Sequence, residues 1–216
     1  MNRVVYILLI ILIVTKNSFC FSQNNNTSSK KWVDSIYKTM NLDQKVGQLY
    51  TVWTASKYGQ EEINEIKKII NEYHIGGLTF SLGNINDQII SHNIFQKQSH
   101  VPLLISMDAE WGLGMRLDDG FSFPYNITLG AIRDDSLVFA VGKRIGEHLK
   151  KIGVHLNFAP VSDVNTNPKN PIIGARSFGE NKFKVTNKSI KYIEGLNSSG
   201  VLAVGKHFPG HGDTRK

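Results

Sequence analysis

Side chains that could bind or transform a ligand are concentrated near the end of this 216-residue chain. Residues 206–214 read KHFPGHGDT, so an amine, two imidazoles and a carboxylate stand within a few positions of one another. The proline and glycines predict turns, and the apolar run at residues 201–204 predicts a strand that leads into them. Lys206 and His207 at such a strand end can donate hydrogen bonds to hydroxyl or carbonyl oxygens of a ligand.

The same stretch permits a second chemistry. His207, His211 and Asp213 form the pattern H-x3-H-x-D, which offers two imidazoles and one carboxylate as metal ligands. The motif alone therefore leaves a polar ligand-binding loop and a metal site as alternatives.

A second polar cluster follows the apolar run at residues 102–107. It contains Asp108, Glu110, Trp111 and Arg116 among flexible glycines. Carboxylates that accept hydroxyl hydrogen bonds beside an aromatic face suit a sugar ring, and the arginine could orient the first carboxylate or donate to the ligand. The alternative is that the aspartate caps the next helix and the tryptophan is a core residue.

A third group follows the predicted strand at residues 154–159. Asp163 and Asn165 come directly after this strand, and Arg176 follows in a long loop among small and apolar residues. A charge in such surroundings needs a partner. The sequence leaves open whether Arg176 binds a ligand or forms a structural ion pair, for which Asp163 is the candidate partner.

The elements that must position these residues alternate along the chain. Residues 41–53 are predicted as a capped helix, and from there helices and near-continuous apolar strands follow one another, with helices at 61–73, 87–98, 135–152 and 182–198 and strands at 75–80, 102–107, 154–159 and 201–205. This pattern predicts an α/β fold with a parallel sheet covered by helices.

Two architectures fit that pattern, an open doubly wound sheet and a (β/α)8 barrel of the TIM type. The first predicted strand is not followed by G-x-G-x-x-G or G-x-x-x-x-G-K, which disfavours a nucleotide-binding sheet. Polar residues follow several strand ends, which favours the barrel. Four or five strands are predicted where a barrel needs eight, so we expect a barrel truncated after about its fifth strand.

Composition excludes other classes of protein. The chain is 41% hydrophobic and 20% charged, as is typical of a globular domain, and its formal net charge is +7. Lysine and arginine do not form a block or a basic helix face, so we expect no nucleic-acid partner.

The N-terminal segment has the pattern of a secretory signal peptide. A short positive region precedes an unbroken apolar run at residues 4–14, and small residues follow around Ser18 and Ser22. We expect a signal peptide over residues 1–22, a polar linker over 23–30 and one domain over 31–216; the alternative is an uncleaved anchor. The single cysteine, Cys20, lies in this segment, so the mature protein would have no disulfide and no thiolate metal site. These features predict an exported protein, periplasmic or extracellular, with no membrane span after cleavage.

Five motifs occur in one order along the chain: IGGL at 75–78, ISMDAEWG at 105–112, NFAPVSDV at 157–164, RSFG at 176–179 and KHFPGHGDT at 206–214. From about Leu42 onward the chain therefore resembles glycoside hydrolase family 3, specifically its β-N-acetylhexosaminidase branch. The resemblance implies a (β/α)8-type barrel that hydrolyses β-linked N-acetylglucosamine with retention, on peptidoglycan fragments or chitin-like oligosaccharides, with no metal or cofactor.

The resemblance also implies roles for individual residues. Those expected to bind the sugar in the −1 subsite are Asp108, Arg116, Arg176, Lys206 and His207. Those expected to support the site by shaping its loops are Glu110, His211 and Asp213.

The two catalytic groups are not among these residues. In this branch the acid/base is a histidine paired with an aspartate in an Asp-Ser-His triplet shortly after the motif's Asp-Thr, and the nucleophilic aspartate follows on a later strand. The resemblance therefore places both beyond Lys216, and residues 1–216 alone are expected to bind sugar without hydrolysing it. A β-glucosidase of the same family, in which the 206–212 loop varies, and a non-catalytic sugar-binding fragment are the alternatives.

Overall fold

The computed structural model describes residues 24–214, and the predicted signal peptide lies outside them. The elements follow in this order: α1 (Asn24–Thr39), α2 (Leu42–Gly47), β1 (Thr51–Ala55), α3 (Gln60–Tyr73), β2 (Gly77–Ser81), α4 (Ile85–Gln98), β3 (Leu104–Met107), α5 (Asn126–Ala131), α6 (Asp135–Lys151), β4 (Leu156–Asn157), α7 (Lys182–Ser198) and β5 (Leu202–Ala203). Short 3-10 turns lie at Ser56–Tyr58, Leu113–Met115 and Gly174–Arg176. Within residues 24–214, every helix is too short or too polar to span a lipid bilayer.

The chain divides into two compact units, one up to Lys45 and one from Val46 onward. In the described part of the first unit, α1 begins at Asn24. Residues 24–30, which belong to the predicted linker, are thus helical, and they contain no glycine or proline that would stop a helix from extending. The linker role of residues 23–30 stays a prediction.

The capped start predicted for the next helix is confirmed. The Asn41 side chain accepts a hydrogen bond from the main-chain nitrogen of Gln44 at 2.9 Å, and the Gln44 side chain accepts from Asn41 N at 3.0 Å. This reciprocal pair is a capping box, which satisfies two main-chain donors at the helix start.

The predicted continuation of that helix to residue 53 is wrong. Helix α2 ends at Gly47, where a β-carbon would lie 1.8 Å from the carbonyl oxygen of Tyr73, and strand β1 follows. The strand sequence TVWTA is rich in β-branched and aromatic residues, which favour the pleated sheet. Its pairing with β2, for example Val52 with Leu78, gives the segment a partner that helical spacing does not reveal.

The second unit is built on a five-stranded sheet in which all neighbours are parallel and the strand order is β1-β2-β3-β4-β5. The α/β fold with a parallel sheet is thereby confirmed. Among the described strands the order never reverses, as it would at the switch point of a doubly wound sheet. Strands β4 and β5 are shorter than the predicted runs because only two residues in each pair with a neighbour.

The core lies between this sheet and its covering helices. The strands supply Leu78, Phe80, Ile105 and Met107, which are all buried, and the helices supply residues such as Ile70, Phe95, Leu149 and Tyr192. Parallel strands buried in this way place all their carboxyl ends at one edge of the sheet. The loops that leave β3, β4 and β5 at that edge contain the polar clusters found in the sequence.

Candidate functional site

Lys206 lies between two carboxylates that come from a different loop. It follows β5, and its ammonium group contacts the Asp108 carboxylate and lies 2.6 Å from Oε1 of Glu110. Both acidic residues follow β3. The parallel sheet therefore brings together polar residues that follow separate strands in the sequence.

Glu110 is the most buried member of this group, with 1% of its side chain exposed. Its carboxylate accepts two hydrogen bonds from Arg176, at 3.0 Å from Nε and 2.7 Å from Nη2. These hydrogen bonds raise the pKa of Arg176 above its ordinary value, although partial burial acts in the opposite direction. The suggested ion pair of Arg176 with Asp163 is wrong, because the guanidinium is aligned with Glu110.

The main chain around Glu110 is fixed from other elements. The carbonyl oxygen of Glu110 accepts a hydrogen bond from the Tyr192 hydroxyl of α7 at 2.8 Å, and burial raises the pKa of that phenol. The buried Asn157 amide of β4 accepts from Ala109 N at 2.9 Å and donates to Ala109 O at 3.0 Å. The loop after β3 is thus held by both a helix and a neighbouring strand.

Asp108 is bound to Arg116 within the same loop. Nη2 of Arg116 lies 2.8 Å from Oδ2 of Asp108, and its Nε donates to the Asp108 carbonyl at 3.0 Å. About a third of the Asp108 side chain stays exposed (33%), so the carboxylate can still meet a ligand.

The alternative interpretation of this loop is wrong in both parts. Within residues 24–214 the next helical segment, Leu113–Met115, begins without a side-chain cap, so Asp108 is not its cap. Trp111 is only partly buried, and its ring packs against Tyr125 at 4.5 Å between centroids.

Asp163 holds the loop that follows β5. Its side chain is completely buried, with Oδ2 lying 2.6 Å from Nδ1 of His207 and Oδ1 accepting from His211 N at 2.6 Å. Because Nδ1 of His207 is engaged, Nε2 is the ring nitrogen left for a ligand. The sequence marked Asp163 as a polar residue directly after a strand, but Asp163 was not among the residues expected to bind the sugar or support the site.

The residues of the possible metal motif do not converge. His207 contacts Asp163, whereas Nδ1 of His211 lies 2.5 Å from Oγ1 of Thr214 and Asp213 is exposed. Among residues 24–214, no three His, Cys, Asp or Glu side chains are grouped closely enough to hold a metal ion. The loop around His211 is also held by Asn170, whose amide donates a 2.6 Å hydrogen bond to the His211 carbonyl, and the loop-shaping role of His211 and Asp213 stays a prediction.

A cavity of about 600 Å³ opens at this edge of the sheet. It is lined by residues of the loops after β4 and β5, among them Asp163, Lys206, His207 and Gly212. This volume accommodates a small organic ligand such as a monosaccharide. Phe208 borders the cavity with 98% of its surface exposed, and the peptide bonds Lys206–His207 and Phe208–Pro209 are cis.

Comparisons with known proteins agree with these features. The glycosyl hydrolase family 3 N-terminal domain model matches residues 41–216. Beta-hexosaminidase A of Pseudoalteromonas piscicida is 38% identical over 163 residues, which cover 69% of this chain and 27% of that protein. Beta-hexosaminidase LpqI of Mycobacterium tuberculosis is 33% identical over 174 residues, which cover 78% of this chain and 43% of that protein.

A solved structure is also similar. A glycoside hydrolase family 3 beta-N-acetylglucosaminidase from Paenibacillus sp. str. FPU-7 superposes with a TM-score of 0.73 at 35% identity, covering 82% of this chain and 35% of that one. The chain thus spans less than half the length of each of these three relatives.

Proposed function

The chain belongs to glycosyl hydrolase family 3, and from this premise we propose that it supplies the sugar-binding part of a retaining β-N-acetylhexosaminidase. Its substrate class is β-linked N-acetylglucosamine in peptidoglycan fragments or chitin-like oligosaccharides. The observation that carries the proposal is the position of Lys206 between Asp108 and Glu110, with Arg116 and Arg176 on the outer sides of the two carboxylates.

This arrangement suits the hydroxyl groups of a sugar. Each hydroxyl donates one hydrogen bond and accepts others, so it is best met by a carboxylate and a cation placed side by side. Asp108 is exposed enough to accept from a hydroxyl, and Lys206 and Arg176 are placed to donate to neighbouring oxygens. His207 adds a ring nitrogen, whose orientation is set by Asp163.

The five parallel strands in chain order support a further part of the proposal, that they begin an eight-stranded (β/α)8 barrel whose remaining strands follow Lys216. Retaining hydrolysis needs an acid/base and a nucleophilic carboxylate that forms a glycosyl-enzyme. We place both beyond Lys216, so that residues 1–216 bind the sugar and the later residues perform the chemistry.

Export is also part of the proposal. The apolar run at residues 4–14 and the small residues after it support cleavage of a signal peptide near residue 22, and action outside the cytoplasm. The first direct check is the N-terminal sequence of the protein recovered from culture medium or periplasm. Recovery of an intact N-terminus in the membrane fraction would contradict cleavage and favour the anchor.

The activity is tested with protein expressed from the complete reading frame. We expect hydrolysis of an aryl β-N-acetylglucosaminide and much slower hydrolysis of the matched aryl β-glucoside. Asp108→Asn should remove most of the activity, whereas Asp118→Asn, on an exposed residue of the same loop, serves as the matched control. Faster hydrolysis of the glucoside would favour a β-glucosidase, and sugar binding with no turnover of either substrate would favour a binding protein.

The sequence that follows Lys216 tests the division of roles. An Asp-Ser-His triplet soon after Lys216, and an aspartate at the end of a later apolar strand, are expected. A stop codon in that place would contradict the proposed hydrolase.

A further inference from the structure

We propose that Glu110 is a positioning residue whose buried charge balances Arg176 and Lys206 and so keeps the site selective for uncharged sugars over anionic ligands. The inference rests on the proposed function of the site as a sugar-binding site. It assigns to Glu110 a role in specificity that goes beyond support of a loop.

Glu110 cannot act by touching the sugar, because only 1% of its side chain is exposed. Its carboxylate instead contacts Arg176 and Lys206, which are expected to bind the sugar. Its carboxylate aligns the Arg176 guanidinium through two hydrogen bonds, and the same oxygen that accepts from Nη2 lies 2.6 Å from the Lys206 ammonium. One buried carboxylate therefore fixes the relative position of two cations, Arg176 and Lys206, which lie 30 positions apart in the sequence.

The main chain that carries this carboxylate is itself held by several hydrogen bonds. The Tyr192 hydroxyl binds the Glu110 carbonyl at 2.8 Å, the Glu110 main-chain nitrogen points at the Met115 sulfur at 3.3 Å, and the Asn157 amide binds both main-chain groups of Ala109. A residue whose main chain is anchored from a helix, a strand and its own loop loses less freedom when its side chain binds its partners. Such anchoring is what a preorganised binding site requires.

The charges of the cluster form a balanced set. The cations are Arg116, Arg176 and Lys206, and the carboxylates are Asp108, Glu110 and Asp163. The formal charges of these six residues sum to zero. Removal of Glu110 leaves Arg176 and Lys206 without the carboxylate that they share, and two partly desolvated cations side by side are a binding site for sulfate, phosphate or a sugar carboxylate.

The test compares three forms of the protein expressed from the complete reading frame. Glu110→Gln keeps the shape and removes the charge. We expect kcat/KM for an aryl β-N-acetylglucosaminide to fall by roughly tenfold or more. We also expect inhibition by inorganic sulfate at concentrations that leave the parent protein unaffected. Glu110→Asp keeps the charge and shortens its reach, so it should lose activity without gaining sulfate inhibition.

A double variant provides the matched control. Glu110→Gln combined with Lys206→Met restores the balance of charge, so sulfate should not bind although sugar binding stays impaired. A folded Glu110→Gln protein that is impaired but indifferent to sulfate would overturn the charge role. Parent-like kcat/KM in Glu110→Asp would overturn the positioning role, and this variant decides the question if Glu110→Gln does not fold.

A failure of the inference about Glu110 can be distinguished from a failure of the proposed hydrolase function. Sulfate binding is also read from the rise of Tm with sulfate concentration, which needs no turnover. If the parent hydrolyses no aryl glycoside but only Glu110→Gln gains sulfate stabilisation, the proposed hydrolase fails while the charge balance stands. If the parent is an active hexosaminidase and sulfate does not raise the Tm of Glu110→Gln, the inference about Glu110 fails while the proposed function stands.

Discussion

Asp163 holds His207 at two points, with one carboxylate oxygen lying 2.6 Å from the imidazole Nδ1 and 3.2 Å from the main-chain nitrogen of the same residue. Its other oxygen accepts from the main-chain nitrogen of His211 at 2.6 Å. A single buried carboxylate thus sets both the ring orientation of His207 and the path of the loop that follows. This is the logic by which an aspartate orients a functional imidazole in many enzymes.

Asp163→Asn should therefore weaken sugar binding although the asparagine does not meet the sugar. The amide places a donor opposite one of the N–H groups that the carboxylate accepted, and hydrogen bonds to a charged group are worth about 1.5–3 kcal/mol. We expect the Kd for N-acetylglucosamine, measured by calorimetric titration, to rise by roughly tenfold or more. Asp118→Asn, an exposed change in the loop after β3, is the control. Equal affinity of Asp163→Asn and the control would show that Asp163 does not orient His207.

Asn157→Ala should destabilise the fold around the same edge of the sheet. The buried amide of Asn157 satisfies both main-chain groups of Ala109, and its removal leaves a buried donor and a buried acceptor without a partner. Each such group costs about 1–3 kcal/mol, so we expect the free energy of unfolding to fall by about 2–6 kcal/mol in urea denaturation. Asn93→Ala, on the exposed face of α4, should change it by about 0.5 kcal/mol or less. A loss of that small size in Asn157→Ala would mean that water replaces the amide.

The contrast between β1 and the later strands shows what the sequence could predict about the fold. Runs such as residues 102–107 are mostly apolar and begin at a proline, so their assignment as strands needs no knowledge of neighbours. The segment that contains β1 has Val46, Leu49 and Trp53 at helical spacing, and all three are exposed in the structure. What makes residues 51–55 a strand is the long-range pairing with β2, which local spacing does not encode.

The candidate site also has features that the sequence predicts and features that only the fold reveals. The residues expected to bind the sugar lie in the loops that follow β3, β4 and β5, as the alternation of strands and helices predicts. Their partners could not be read from the sequence, because Glu110 and Arg176 are 66 positions apart and pair only once β3 and the loop after β4 are side by side. The sequence offered Asp163 as the nearer carboxylate for Arg176, and the fold instead gives that aspartate to His207.

Gly212→Ala should displace the loop that carries His207 and His211. A β-carbon at residue 212 would lie 1.8 Å from the carbonyl oxygen of Val164, so one of the two loops must move. We expect a destabilisation of about 1–3 kcal/mol, typical of forced overpacking, together with weaker binding of N-acetylglucosamine. In the matched variant Gly205→Ala, the nearest atom would be Ser162 Oγ at 3.5 Å, an ordinary contact, and stability should stay near that of the parent. Equal unfolding midpoints for the two variants would contradict this packing argument.

Low pH should destabilise the sheet at the edge opposite the candidate site, because it protonates His155. Its Nδ1 accepts a hydrogen bond from the main-chain nitrogen of Ile105 at 3.0 Å, so the ring must be neutral at that atom. Loss of water around the rings lowers the pKa of His155 and, together with repulsion from His155, that of His92, below the ordinary value of 6.5. The unfolded chain then binds more protons than the folded one, and this contribution to stability is complete above about pH 6.5 and is lost as the pH falls through the folded-state pKa values.

His155→Asn isolates this contribution, because the asparagine oxygen can accept the Ile105 hydrogen bond but does not titrate. We expect the free energy of unfolding of the parent, measured in urea, to decrease between about pH 7 and about pH 5, and that of His155→Asn to decrease less. Some pH dependence should persist in the variant because His92 still titrates, and it should shrink further in the double variant His92→Gln/His155→Asn. If all three proteins lose the same free energy over this interval, the acid sensitivity arises elsewhere, and the Ile105–His155 hydrogen bond tolerates a protonated ring.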